Sequence, residues 1–131
     1  MPKVTASIKK VPYRIEIKSA TGNEVIADEP LANGGQDAGF SPKELLAAAL
    51  SACTSATLRM YIDRKGWDIS EIKVETDLIQ VDNRTLFTRK IEFSEKIDDE
   101  KRNRLIQIAN ACPVHKILSN PIEFKIESIF T

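Results

Sequence analysis

Ser41-Pro42-Lys43-Glu44-Leu45-Leu46-Ala47-Ala48-Ala49-Leu50-Ser51-Ala52-Cys53-Thr54-Ser55-Ala56-Thr57-Leu58 is the stretch that decides how this chain folds. Its start is legible residue by residue. Ser41 carries an N-cap side chain, Pro42 suits the first helical position, where its missing N–H has no partner to lose, and Glu44 completes a capping box with Ser41. No charge interrupts Leu45 to Leu58, so the helix, expected to run to about Lys65-Gly66, has no polar face to give to water and should be buried on all sides. About two dozen residues at ~1.5 Å each make it ~35 Å long. A chain of 131 residues has little core to surround such a helix, which predicts an obligate homodimer in which two of these helices pack on each other and on sheets. The uncharged run is also short and carries Ser51, Thr54, Ser55 and Thr57, whereas a membrane span needs ~20 mostly apolar residues. It reads as a core helix, and no membrane partner is expected.

On either side of the helix the pattern changes to period two. Tyr13 to Lys18 alternates, Thr21-Gly22-Asn23 supplies turn chemistry, and Glu24 to Ala27 resumes as a strand up to Asp28-Glu29-Pro30, which predicts a hairpin. Beyond the helix, Ile72, Val74, Thr76 and Leu78 face one way, Asp82-Asn83-Arg84 turns the chain, and Phe87, Arg89, Ile91 and Phe93 share a face on the return. Asp98 caps a second helix with the stripe Leu105, Ile108, Ala109 and Cys112. Pro113 ends that helix but is suited to start another, so a short third helix with Cys112 as N-cap is expected over 113–118. Ile122, Phe124 and Ile126 alternate as a closing strand. The chain therefore reads as a single α+β domain, residues 1–131, with antiparallel sheets packed on a long central buried helix.

Lys+Arg 19 against Asp+Glu 19 gives a net charge of +0, which removes the electrostatic argument for a nucleic-acid partner. The N-terminal residues lack a signal-peptide core, so a cytoplasmic protein is expected. In that compartment the two cysteines are not expected to form a permanent staple; a transient disulfide is the usual exception. Cys53 lies inside the long helix and Cys112 at a helix junction, a context that can lower a thiol's pKa. Such a pair can cycle between dithiol and disulfide. A structural zinc needs four ligands, and Cys53, Cys112 and His115 are the only Cys and His side chains, so no metal is expected. Gly34-Gly35 lacks the Lys-Ser/Thr of a phosphate loop. Arg59, six residues after Cys53, points away from it around the helix.

Asp28-Glu29-Pro30, Gly34-Gly35, the run from Ser41 to Cys53 and Ala111-Cys112-Pro113-Val114, in this order over nearly the whole chain, resemble the OsmC/Ohr proteins, and most closely their OsmC-like branch. The resemblance implies an intertwined homodimer with sites at the subunit interface. It implies a thiol-dependent peroxidase without a bound cofactor, in which Cys53 attacks an organic hydroperoxide, becomes sulfenic acid and is resolved by Cys112 as a disulfide. An external dithiol closes the cycle, and the role is protection against oxidative or osmotic stress. It also implies an arginine that stabilises the thiolate and a glutamate that orients it, here Arg14 and Glu44. Lys43 follows Pro42 directly, so the glutamate stands one residue later than in the family, ~100° further around the helix. An apolar wall including Phe40 and Tyr61 would favour a bulky alkyl peroxide. Two alternatives stand beside this one: a non-catalytic or weakly active stress protein that binds a small hydrophobic ligand at the dimer interface, and thiolate chemistry on another electrophile such as an acyl thioester.

Overall fold

The computed structural model describes residues 1–129. It has five strands, β1 (Val4–Ile8), β2 (Ile15–Ser19), β3 (Glu24–Ala27), β4 (Ile72–Val81) and β5 (Arg84–Phe93), and three α-helices, α1 (Pro42–Lys65), α2 (Asp99–Asn110) and α3 (Pro113–Ser119). The described chain divides into two compact units. One comprises Met1–Ala48 with Leu78–Leu86, the other Ala49–Asp77 with the chain from Phe87 onward.

In the first unit β1, β2 and β3 form an antiparallel sheet in that order. The expected β2–β3 hairpin is present, with Ile15 opposite Ala27 and Ile17 opposite Val25. β1 was not expected. Val4, Ala6 and Ile8 alternate over a short span, and it is pairing with β2, Ala6 opposite Ile17 and Ile8 opposite Ile15, that fixes them as a strand. The Gly-rich connection after β3 is organised by one buried carboxylate. Asp28, 1 % exposed, accepts from the amides of Tyr13, Glu29, Gln36 and Ala38 at 3.3, 2.8, 3.2 and 3.1 Å. Gly35 is required beside it, since a Cβ there would lie 2.0 Å from the carbonyl oxygen of Glu29.

The amide of Ala38, with those of Glu29, Gln36 and Tyr13, holds the Asp28 carboxyl below its usual range against the opposing effect of burial. A folded-state pKa below the unfolded one stabilises the fold above the unfolded value, about 4, and that stability is lost as the pH falls toward the folded one. Asp28→Asn turns an amide group toward donors. It should lower the Tm at pH 7 and flatten its decline on acidification, checked by thermal unfolding at neutral and acidic pH. An unchanged acid limb would show that Asp28 does not carry this dependence.

The start and end of α1 are as read. Ser41 N donates to Glu44 Oε1 at 2.8 Å and Glu44 N to Ser41 Oγ at 3.1 Å. At the far end Gly66 takes φ 68°, and the amides of Gly66 and Trp67 reach the carbonyls of Asp63 and Ile62, a Schellman closure in which glycine relieves the left-handed backbone. Burial differs from expectation. Leu50, Thr54, Leu58 and Ile62, four residues apart, form one buried stripe, while Leu46 and Met60 are 48 and 58 % exposed and Ala49, Ala52 and Ala56 are exposed too. One chain covers one face of this helix. By length and composition alone α1 is long and apolar enough to cross a membrane, with mean hydropathy 1.4 over 18 residues, a description that core helices also meet.

In the second unit Leu58 and Ile62 pack with Ile69, Leu105 and Ala109, flanked by Trp67, Ile72, Ile91, Phe93 and Ile108 among others. The β4–β5 hairpin turns at Asp82 and Asn83, both with positive φ, the backbone of a type I′ turn. α2 is capped by Asp98, which accepts from Lys101 N. The closing strand is absent: 121–129 carry no regular structure, and Ile122, Phe124 and Ile126 are 52, 92 and 82 % exposed. Alternation supplies a face, but a strand also needs a neighbour for its N–H and C=O groups, and β4 and β5 pair only with each other among the described residues.

Candidate active site

Two helices bring the cysteines together in the second unit. Cys53 sits mid-way along α1, half-buried, and Cys112 is fully buried. Cys112 is the N-cap of α3, its backbone extended at φ −63°, ψ 137°, with Pro113 at the first helical position. Consecutive amides of α3 then meet the two sulfurs: Val114 N donates to Cys53 Sγ at 3.5 Å, and His115 N to Cys112 Sγ at 3.3 Å. The two sulfurs are thus met by neighbouring amides of one helix start, and both are free thiols.

Burial pushes the Cys112 thiol up. It is outweighed by the amide of His115, the Cys53 thiol, the Thr54 hydroxyl and the amide of Val114, so Cys112 is held below the usual thiol range. Each of these donors stabilises the thiolate rather than the thiol. Cys112, though buried, is thus the better hydrogen-bonded of the two sulfurs, and Cys53 lies nearer the surface.

Around Cys112 lies a polar cluster that the sequence reading did not assemble. Thr54, fully buried, donates to the carbonyl of Leu50 at 2.7 Å and lies 3.9 Å from Cys112 Sγ. The guanidinium of Arg89, on β5, donates through Nη1 to Thr54 Oγ1 at 2.9 Å and to Ala109 O at 3.1 Å. Through Nη2 it reaches Asn110 Oδ1 at 3.2 Å and His115 Nδ1 at 2.9 Å. Because a guanidinium can only donate, His115 Nδ1 accepts and its ring hydrogen is on Nε2. The signal was available: Arg89 shares the inward register of Phe87, Ile91 and Phe93, all half-buried, and a charge on a buried face needs partners.

Arg14 and Glu44 belong to the first unit. Arg14 Nη1 pairs with Glu16 Oε1 at 2.9 Å, both side chains nearly half exposed, and not with Glu44, whose carboxylate closes the capping box. Arg59 donates to Ile69 O at 2.8 Å, as expected for a residue turned away from Cys53. Tyr61 packs edge-on against Trp67 with ring centroids 5.7 Å apart, its hydroxyl accepting from Arg104. His115 is half-buried. No cluster of His, Cys, Asp and Glu that could hold a metal occurs among the described residues.

The model of the family described as OsmC-like protein matches residues 34–127. The chain belongs to the OsmC-like family. The matched span contains both cysteines and Arg89 but not Arg14. Among solved structures, a protein of Psychrobacter arcticus named for osmotic stress induction and a detoxification response is 26 % identical, with a TM-score of 0.74 over 88 % of this chain and 85 % of that one. The organic hydroperoxide resistance protein OhrB of Bacillus subtilis is 25 % identical, with a TM-score of 0.63 over 89 % of each chain. An OsmC-like protein of Mycoplasma pneumoniae shares the fold at 18 % identity, with a TM-score of 0.70 over 91 % of this chain and 87 % of that one. None of the curated proteins compared with the chain matches it.

Proposed function

We propose that this OsmC-like protein is a thiol-dependent peroxidase for organic hydroperoxides. The observation that carries the reading is the pair of neighbouring sulfurs, each met by an amide of the same helix start. Cys53, the accessible member, attacks as thiolate. Its sulfur takes the terminal peroxide oxygen, the O–O bond breaks, and the departing alkoxide takes a proton to leave as alcohol. The Cys112 sulfur then attacks the Cys53 sulfenic acid, forming the disulfide and releasing water. An external dithiol, oxidised in turn, restores both thiols. The name of the Bacillus subtilis relative, a hydroperoxide resistance protein, supports a peroxide substrate.

The working unit in this reading is a homodimer of single-domain chains in the cytoplasm, without a bound cofactor. The uncovered faces support it: Ala49, Ala52, Ala56 and Met60 on α1 and the alternating Ile122, Phe124 and Ile126 are exposed in one chain. A second reading, a stress protein that binds a hydrophobic ligand and turns over peroxide slowly or not at all, is favoured by one observation. Arg14 and Glu44 are each bonded to a partner other than the other.

Steady-state consumption of cumene hydroperoxide with a dithiol reductant separates the two. The peroxidase reading expects sustained turnover that outpaces hydrogen peroxide. Consumption no faster than with the reductant alone favours the binding protein.

A further inference from the structure

We propose that Arg89 is the positioning residue of the thiol pair, holding Cys112 in place through Ala109 and acting on its sulfur through the Thr54 hydroxyl. This role presupposes that Cys53 and Cys112 form the working pair proposed above. It differs in origin from the arginine the resemblance implies, which comes from the N-terminal strands.

The guanidinium spends all four Nη hydrogens, on Thr54, Ala109, Asn110 and His115, and so ties α1, the end of α2 and α3 to one strand. Its fixed fork suits this; a lysine ammonium has fewer donors and no plane. The Ala109 carbonyl it holds also accepts the amide of Cys112 at 3.3 Å, so the guanidinium is one residue's hydrogen bond away from the Cys112 backbone. α2 has no basic residue in its last turn. The negative end of that helix lies beside Cys112 and would oppose a thiolate there; Arg89 supplies the missing cation.

Thr54 provides the second route. Its hydroxyl has one hydrogen and two acceptors in reach, Leu50 O at 2.7 Å and Cys112 Sγ at 3.9 Å. Arg89 occupies a lone pair on that oxygen and polarises the O–H. While Cys112 is a thiol the hydrogen stays on Leu50 O; when the sulfur is charged the hydroxyl turns to it. A pocket of about 400 Å³ also borders Arg89, its wall of Ile91, Phe93, Leu105 and Ile106 interrupted by Glu95 and Arg102.

The test follows the thiolate absorbance of Cys112 against pH in full-length Cys53→Ser protein, where it is the only thiol and no peroxide is involved. Adding Arg89→Met or Thr54→Val should move the midpoint upward by about one pH unit. Thr54→Ser, which keeps the hydroxyl, should leave it in place. Arg89→Lys keeps a charge without the fork and should move it the same way by less. An unmoved midpoint in Arg89→Met overturns the role. Should that variant not fold, an unmoved midpoint in Arg89→Lys does so. Because this titration needs no turnover, its failure is distinct from a failure to consume peroxide.

Discussion

With one equivalent of an alkyl hydroperoxide, Cys112→Ser protein is expected to gain one oxygen at Cys53 and stop there, with no disulfide. Cys53→Ser protein should keep its remaining thiol unchanged, and both variants should fall to background in dithiol-dependent turnover. The asymmetry follows from access and capping. Cys112 is fully buried and Cys53 is not, so peroxide meets Cys53 first. Serine is a favoured N-cap, so Cys112→Ser keeps the start of α3 while removing the sulfur that would resolve the sulfenic acid. Unresolved, that acid oxidises further to sulfinic acid under excess peroxide. Mass spectrometry of the intact variants checks each species. Oxygen on Cys112 in Cys53→Ser protein, at the rate seen for Cys53, would reverse the assignment of attacker and resolver.

Leu58→Ala should cost about 3 kcal/mol of stability and lower the Tm by roughly 10 °C. Leu58 is 0 % exposed and sits among Ile62, Ile69, Leu105 and Ala109, on the α1 stripe that also carries Thr54. Truncation leaves a cavity that one helix and two strands cannot all close. Leu58→Met, which conserves volume, should stay within ~1.5 kcal/mol. Thermal melts at several protein concentrations give the comparison and separate the core loss from any subunit dissociation. A loss below ~1 kcal/mol for Leu58→Ala would mean that this stripe is not the core of the fold.

The elements whose ends carry chemistry were legible before the structure. Ser41, Pro42 and Glu44 marked the start of α1, and Pro113 marked Cys112 as the cap of α3, because each of these side chains satisfies or spares a particular backbone donor. β1 was not legible, since Val4 to Ile8 becomes a strand only by pairing with β2. The closing strand failed for the opposite reason: Ile122, Phe124 and Ile126 have the right period and no neighbour in the described chain. At the site, the cysteines were found from their contexts, whereas Arg14 and Glu44 were carried over by resemblance and have other partners. Arg89 was in plain view on the apolar face of β5. Period two places a side chain but does not say what it bonds, and the four acceptors of Arg89 come from three helices distant in sequence.

The most direct test of the central claim is intact-mass analysis of reduced wild-type protein after stoichiometric cumene hydroperoxide, followed by peptide mapping without reduction. The thiol-pair account predicts rapid loss of two hydrogens per chain, both thiols consumed, and a Cys53–Cys112 cross-linked peptide within one subunit. Two free thiols persisting through many minutes of excess peroxide would contradict it, and the site would then be one that binds rather than reacts.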